Sequence, residues 1–127
     1  NQPQNDVKIE VIQGGLGRDY DDEHPDRETQ LTPIIHETTA LTGLKHLDGT
    51  LSMARNSPGS ASSEFFICIN KQPELDYKGK RNPDGEGFAA FGKVIKGMKV
   101  VKTIQVLNDT SQYLDKPVKI LSMKRIK

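Results

Sequence analysis

The chain has 127 residues, 34% of them hydrophobic and 28% charged, with a net charge of +1, which is enough for one globular domain (residues 1–127) around one core and too little for two. The longest apolar run is the five residues of "FFICI", so no segment has the length of a transmembrane helix. A single cysteine, Cys68, excludes an internal disulfide and sits inside that run, where a thiol serves as a small hydrophobe.

Along the chain, "VKIEVI" (7–12) alternates apolar and polar residues before Gly14 and Gly15, and predicts a half-buried strand. Residues 17–33 are acidic and aperiodic and predict a surface loop. "PIIHET" (33–38) predicts another short strand, followed by a turn near Gly43. "GTLSMA" (49–54) follows an Asp-Gly pair and predicts a strand with Leu51 and Met53 on one side. The small residues of "SPGSASS" then form a loop, and the aromatic and β-branched "EFFICIN" (64–70) predicts a strand.

"DYKGKRNPDGEG" (76–87) is a long loop whose Asn-Pro-Asp-Gly has tight-turn chemistry, and "FAAFGKVI" (88–95) predicts a short strand. In "MKVVKTIQVL" (98–107), Met98, Val101 and Ile104 recur every three residues beside a row of lysines, the pattern of an amphipathic helix. "KPVKILSMKRI" (116–126) predicts a closing strand, with Val118 and Ile120 in alternation and Met123 and Ile126 after a slip. Short strands, turn signals and one late helix predict a mostly β fold, a barrel or sandwich rather than a βαβ unit.

Charge is uneven: residues 1–77 hold 6 Lys/Arg against 13 Asp/Glu, and residues 78–127 hold 12 against 4. The lysines are scattered and lack interleaved aromatics, which predicts two solvated faces of opposite sign and no nucleic-acid partner. His36-Glu37 is followed by Ala40 where a zinc helix needs a second histidine, and His24, His36 and His46 are irregularly spaced, so no metal site is expected. "GGLG" (14–17) lacks the second half of a dinucleotide loop. No nucleophile elbow surrounds Ser52, Ser57, Ser60, Ser62 or Ser63.

Several strands place an apolar side chain beside a small or polar one: Val11 with Gln13, Met53 with Ala54, Phe66 beyond Glu64, and then Leu75 and Phe88. Brought together, these would line an apolar pocket with a polar rim, of a size for a proline ring. Periodicity alone also accommodates the alternative that all of them are core.

The runs "VIQGG", "GTLSMARNSPGSASSEFFICI", "QPELD" and "GFAAFGKVIKGMKVV" resemble, in order and spacing, the cyclophilin family of peptidyl-prolyl cis-trans isomerases, from about Val7 to the last predicted strand. The insertion "GKRNPDGEGFAAFG" is similar to a bacterial branch, which implies a cytoplasmic or periplasmic setting. The resemblance implies a closed antiparallel β-barrel capped by helices, with its first strands and first helix upstream of Asn1. It implies no cofactor, and proline-containing peptides and unfolded protein clients as partners of a monomer. Gln13 corresponds to the glutamine that braces the catalytic arginine; Val11, Met53, Phe66, Leu75 and Phe88 correspond to residues lining or supporting the proline pocket. Ala54 and Arg55 match the strand that pairs with the substrate backbone.

Three departures stand out. Glu64 replaces the usual glutamine, Glu74 replaces a pocket aromatic, and the F-x-R element that carries the catalytic arginine does not occur in the chain. Arg18 lies in the acidic loop and Arg55 at a backbone-binding position, so neither is expected to substitute. Two further readings therefore stand beside the isomerase: a non-catalytic module that binds proline peptides, and an inactive C-terminal fragment of a longer enzyme.

Overall fold

A computed structural model describes residues 1–16 and 31–126. The element order is β1 (Val11–Gly14), α1 (Thr39–Thr42), β2 (Thr50–Met53), β3 (Phe65–Cys68), a 3₁₀ turn (Pro73–Leu75), β4 (Ala89–Lys93), α2 (Met98–Gln105), β5 (Asp109–Thr110) and β6 (Tyr113–Leu114). The first four strands make one antiparallel sheet in the order β1-β3-β2-β4, and β5 and β6 form a separate hairpin. Among the described residues this sheet is open, in place of the closed barrel expected from the resemblance. The mostly β content is as predicted.

β3 owes its central place to its composition, since Phe65, Phe66 and Ile67 suit a strand flanked on both edges. Phe66 stands opposite Gln13 on one side and Ser52 on the other, so these three share a face; Met53 stands opposite Phe65 and takes the other. Leu51 and Met53 do share a side, but the buried residues of β2 are Thr50 and Ser52. Polar groups are tolerated there because each is hydrogen-bonded: the Thr50 hydroxyl accepts from the Leu47 N–H and donates to the Lys45 carbonyl, and Ser52 reaches His46. A bulge between Leu51 and Ser52 in the β2–β4 pairing leaves Phe91 without a cross-strand partner and more than half exposed.

Three predicted elements differ. β1 begins at Val11 rather than Val7. Residues 33–38 form no strand; Thr38 caps α1, its hydroxyl accepting from the Leu41 N–H, and Gly43 closes the helix at φ 74°, a left-handed turn that favours glycine. Residues 116–126 are not a strand either, and Leu121, Met123 and Ile126 are exposed. The slip after Ile120 is the physical reason: no single face of an extended chain would gather the apolar side chains. Ile120 itself packs on β1, its Cδ1 lying 3.4 Å from where a Cβ on Gly14 would stand.

α2 matches the predicted helix, with Val101 buried and Met98 packed against Gly49. The predicted loop at 17–33, Arg18 and His24 fall wholly or largely outside the described residues.

Candidate proline-binding groove

The core beneath the Gln13–Phe66–Ser52 face is Phe66, Cys68 and Leu75, with Ile9, Val11, Ala54 and Phe88 packed around it. Phe66 is 3% exposed and meets Phe88 edge to face, ring centroids 5.4 Å apart and planes at 89°, the arrangement favoured by aromatic quadrupoles. Above this cluster opens a groove of about 560 Å³. Its apolar floor holds Phe66, Leu75, Phe88, Val11 and Ala54, and its rim holds Gln13, Arg55 and Glu64. Eight of the nine site residues expected from the sequence thus come together. Met53 does not, because its place opposite Phe65 puts it on the other face of the sheet.

Each wall has a local cause. Phe88 is hung on the 3₁₀ turn by its N–H, which donates to the Leu75 carbonyl at 3.0 Å. The turn Asn82–Gly85 closes as its sequence predicts, with the Gly85 N–H donating to the Asn82 carbonyl. Arg55 crosses under that loop with its side chain 1% exposed and makes five hydrogen bonds. Two go to the Asp84 carboxylate at 2.9 and 3.0 Å, two to the Gly87 carbonyl and one to the Asn56 carbonyl. Its guanidinium also lies 5.0 Å from the Phe88 ring centre, a cation–π contact. The Arg55 hydrogen bonds, with that from the Glu86 N–H, hold the Asp84 carboxyl below the usual range. Arg55 is therefore a strut of the wall, and its cation is already matched. Glu64 accepts from Ser63 and crowds Gly15, where any side chain would collide with its carboxylate.

Sequence reasoning did not anticipate the layer below. His46, 1% exposed, stacks on Phe66 with centroids 5.9 Å apart and planes at 18°. Its Nδ1 lies 2.8 Å from Asp76 Oδ1 and its Nε2 2.9 Å from Ser52 Oγ. The carboxylate fixes the tautomer: Nδ1–H donates to Asp76, and Nε2 accepts from the Ser52 hydroxyl. This is the order of a hydrolytic triad, but Ser52 is wholly buried, so its oxygen meets no substrate. Burial lowers the His46 pKa below its ordinary value, against the opposing pull of Asp76. The thiol of Cys68, likewise buried, is pushed up to about 12 and is inert.

Arg81 and Asn82 also enter the groove from the 76–87 loop. Neither was singled out in the sequence, because a turn-rich loop gives no periodicity that says which side chains fold inward. Among the described residues no three His, Cys, Asp or Glu side chains cluster as metal ligands, and no helix is long and apolar enough to cross a membrane.

Comparison with known proteins agrees with this geometry. Residues 5–125 match the family model for cyclophilin type peptidyl-prolyl cis-trans isomerase/CLD. The chain is 42% identical over 101 residues to peptidyl-prolyl cis-trans isomerase A of Dickeya dadantii (strain 3937), an alignment covering 75% of this chain and 50% of that protein. It is 42% identical over 99 residues to a peptidyl-prolyl cis-trans isomerase of Acinetobacter baylyi, covering 72% of this chain and 49% of that one. With the human peptidyl-prolyl cis-trans isomerase-like 3 it shares 40% identity over 65 residues, 50% of this chain and 35% of the other. The chain spans about half the length of the bacterial relatives it matches. With the family match running through nearly all of its length, and an aromatic-floored groove at the expected residues, the chain belongs to the cyclophilin-type peptidyl-prolyl cis-trans isomerases.

Proposed function

We propose that the groove seats the proline ring of an X-Pro segment against Phe66, and that the protein accelerates rotation about the X-Pro bond. The observation that carries this reading is the floor of buried Phe66 and Leu75 with half-buried Phe88, under a rim of polar groups. An X-Pro amide rotates slowly because its partial double bond must break, a barrier of ~20 kcal/mol. Lowering it needs no nucleophile and no cofactor. A site that binds the twisted amide better than either planar form suffices, and each ~1.4 kcal/mol of that preference gains about tenfold in rate. Phe66 and Leu75 anchor the ring, and Gln13, exposed at the rim, is placed to hydrogen-bond the peptide as it turns.

The open sheet is read as part of a closed barrel with capping helices, on the strength of the half-buried apolar residues on its second face, Leu51, Met53, Phe65 and Ile67. The clients are unfolded chains that present proline, and the protein acts as a monomer, a reading supported by the floor of the groove coming from one chain.

A second reading, binding without turnover, is favoured by Arg55: its guanidinium is fully engaged in the wall and has no donor left for a prolyl nitrogen. Exchange NMR of an Ala-Pro peptide separates the two. Acceleration over buffer that disappears in Phe66→Leu supports catalysis, saturable binding without acceleration selects the binding module, and neither signal removes both.

A further inference from the structure

Arg81 stands apart from the other arginine of the groove. Its Nη1 donates to the Val7 carbonyl and, at 3.3 Å, to Asn1 Oδ1. Its Nε and Nη2 have no acceptor among the described residues, and no described carboxylate lies within ion-pair distance. The adjacent Asn82 also lines this groove, and its Nδ2 lies buried behind the surface without a hydrogen-bond partner. A buried donor left unmade costs about 1–3 kcal/mol, so such a group signals an absent acceptor. Arg81 thus brings unsatisfied donors on a planar cation to the space where the peptide would lie, and Asn82 holds a further unmet donor just behind it.

We infer that Arg81 and Asn82 form a carboxylate subsite that selects X-Pro segments carrying an acidic residue two positions before the proline. A guanidinium fork matches a carboxylate in two parallel hydrogen bonds, and the Asn82 amide behind it becomes a third donor as the bound carboxylate draws the loop open. A backbone carbonyl would engage only one of them. The loop keeps the fork in place: the Arg81 N–H donates to the Glu74 carbonyl at 3.1 Å, and the Lys80 N–H to the Glu74 carboxylate at 2.8 Å. Glu74 thereby spends its own charge on the loop backbone. The acid that lines the groove, Glu64, sits by Gly15 past the far end of β1, whereas Arg81 is tied to Val7 before its start. The groove is therefore polarised along its length, with its basic end at Arg81.

This assignment rests on the proline reading, and its test keeps the two distinguishable. Dissociation constants of the full chain are measured by NMR titration for peptides with Glu, Gln or Lys directly before Ala-Pro. The expected order is Glu, then Gln, then Lys, with Glu over Gln by about three- to tenfold and the gap shrinking at 0.5 M salt. Arg81→Gln levels the three peptides. Asn82→Ala, which removes the orphaned amide, weakens only the Glu peptide and holds or raises the unfolding midpoint. Equal affinities in the native chain overturn the subsite while leaving the proline site intact. If no peptide binds, the proline reading and this inference fall together. Should Arg81→Gln unfold, Asn82→Ala decides.

Discussion

The contact between His46 and Ser52 lends itself to a double-mutant cycle. Both side chains are under 2% exposed, and each is the other's hydrogen-bond partner at 2.9 Å. Ser52→Ala leaves the His46 Nε2 buried with no partner, a cost of ~1–3 kcal/mol. His46→Leu leaves the Ser52 hydroxyl equally orphaned, removes one of two bonds to Asp76 Oδ1, and removes the ring stacked on Phe66. It should cost ~2–4 kcal/mol, combining the orphaned group with the lost aromatic packing. In the double variant the orphan penalty disappears from both sides at once. The summed single costs should therefore exceed the double-variant cost by ~1–2 kcal/mol. The chain has no tryptophan, so urea unfolding is followed by far-UV circular dichroism. Additivity within about 0.5 kcal/mol would refute the idea that these groups bond one another in the folded protein.

Three more outcomes follow from the same geometry. His46 has its pKa lowered from 6.5 by burial, so below about pH 6.5 the unfolded chain takes up the proton more readily than the folded one. Stability should be full at pH 7 and above and fall as the pH drops toward the folded pKa, with a flatter profile in His46→Leu; an equally steep profile in that variant would reject His46 as the cause. Gly87 has φ 62°, and a Cβ there would stand 2.6 Å from the Leu75 and Asp76 carbonyl oxygens, so Gly87→Ala should cost ~3 kcal/mol or more and weaken proline-peptide binding. Gly59, at φ 80° with open space around it, is the control: Gly59→Ala should cost only ~1 kcal/mol, read by the same unfolding curve. Cys68, wholly buried with a pKa of about 12, should be unreactive to a thiol reagent at pH 8 and react at once in 6 M urea; fast native labelling would contradict its place in the core.

Much of the groove was legible because its walls are built from local signals. β3 follows from "FFIC", the Asn82–Gly85 turn from Asn-Pro-Asp-Gly, and α2 from apolar residues three apart. The rest depended on neighbours far along the chain. Alternation on β2 favours Leu51 and Met53 as the inward pair, yet Thr50 and Ser52 are buried because acceptors and donors from residues 45–47 await them. Met53 beside Ala54 reads as a pocket residue both from the strand pattern and from the resemblance, and the register with Phe65 sends it to the other face. His46 lies 30 residues from the aspartate that orients it, a separation that no local pattern reports. In the last segment, residues 116–126, apolar residues met the composition of a strand but not its period.

The two ends of the 76–87 loop are latched to the same short stretch of backbone. Gly79 donates to the Asp76 carbonyl at 2.8 Å, Phe88 donates to the Leu75 carbonyl, and Gly87 lies too close to both carbonyls for any side chain. Between those latches lie Arg81, Asn82 and Asp84, while the floor beneath is supplied by other parts of the chain. The loop is thus a cassette with one fixed pin: positions 80–82 can vary in charge so long as Asp84 stays paired with the buried Arg55 and Gly79 and Gly87 keep the clasp shut. Reversing the charge at position 81 alone, with Asp84 kept paired with Arg55 over Phe88, would be expected to redirect which peptides are chosen without disturbing the ring that holds the proline.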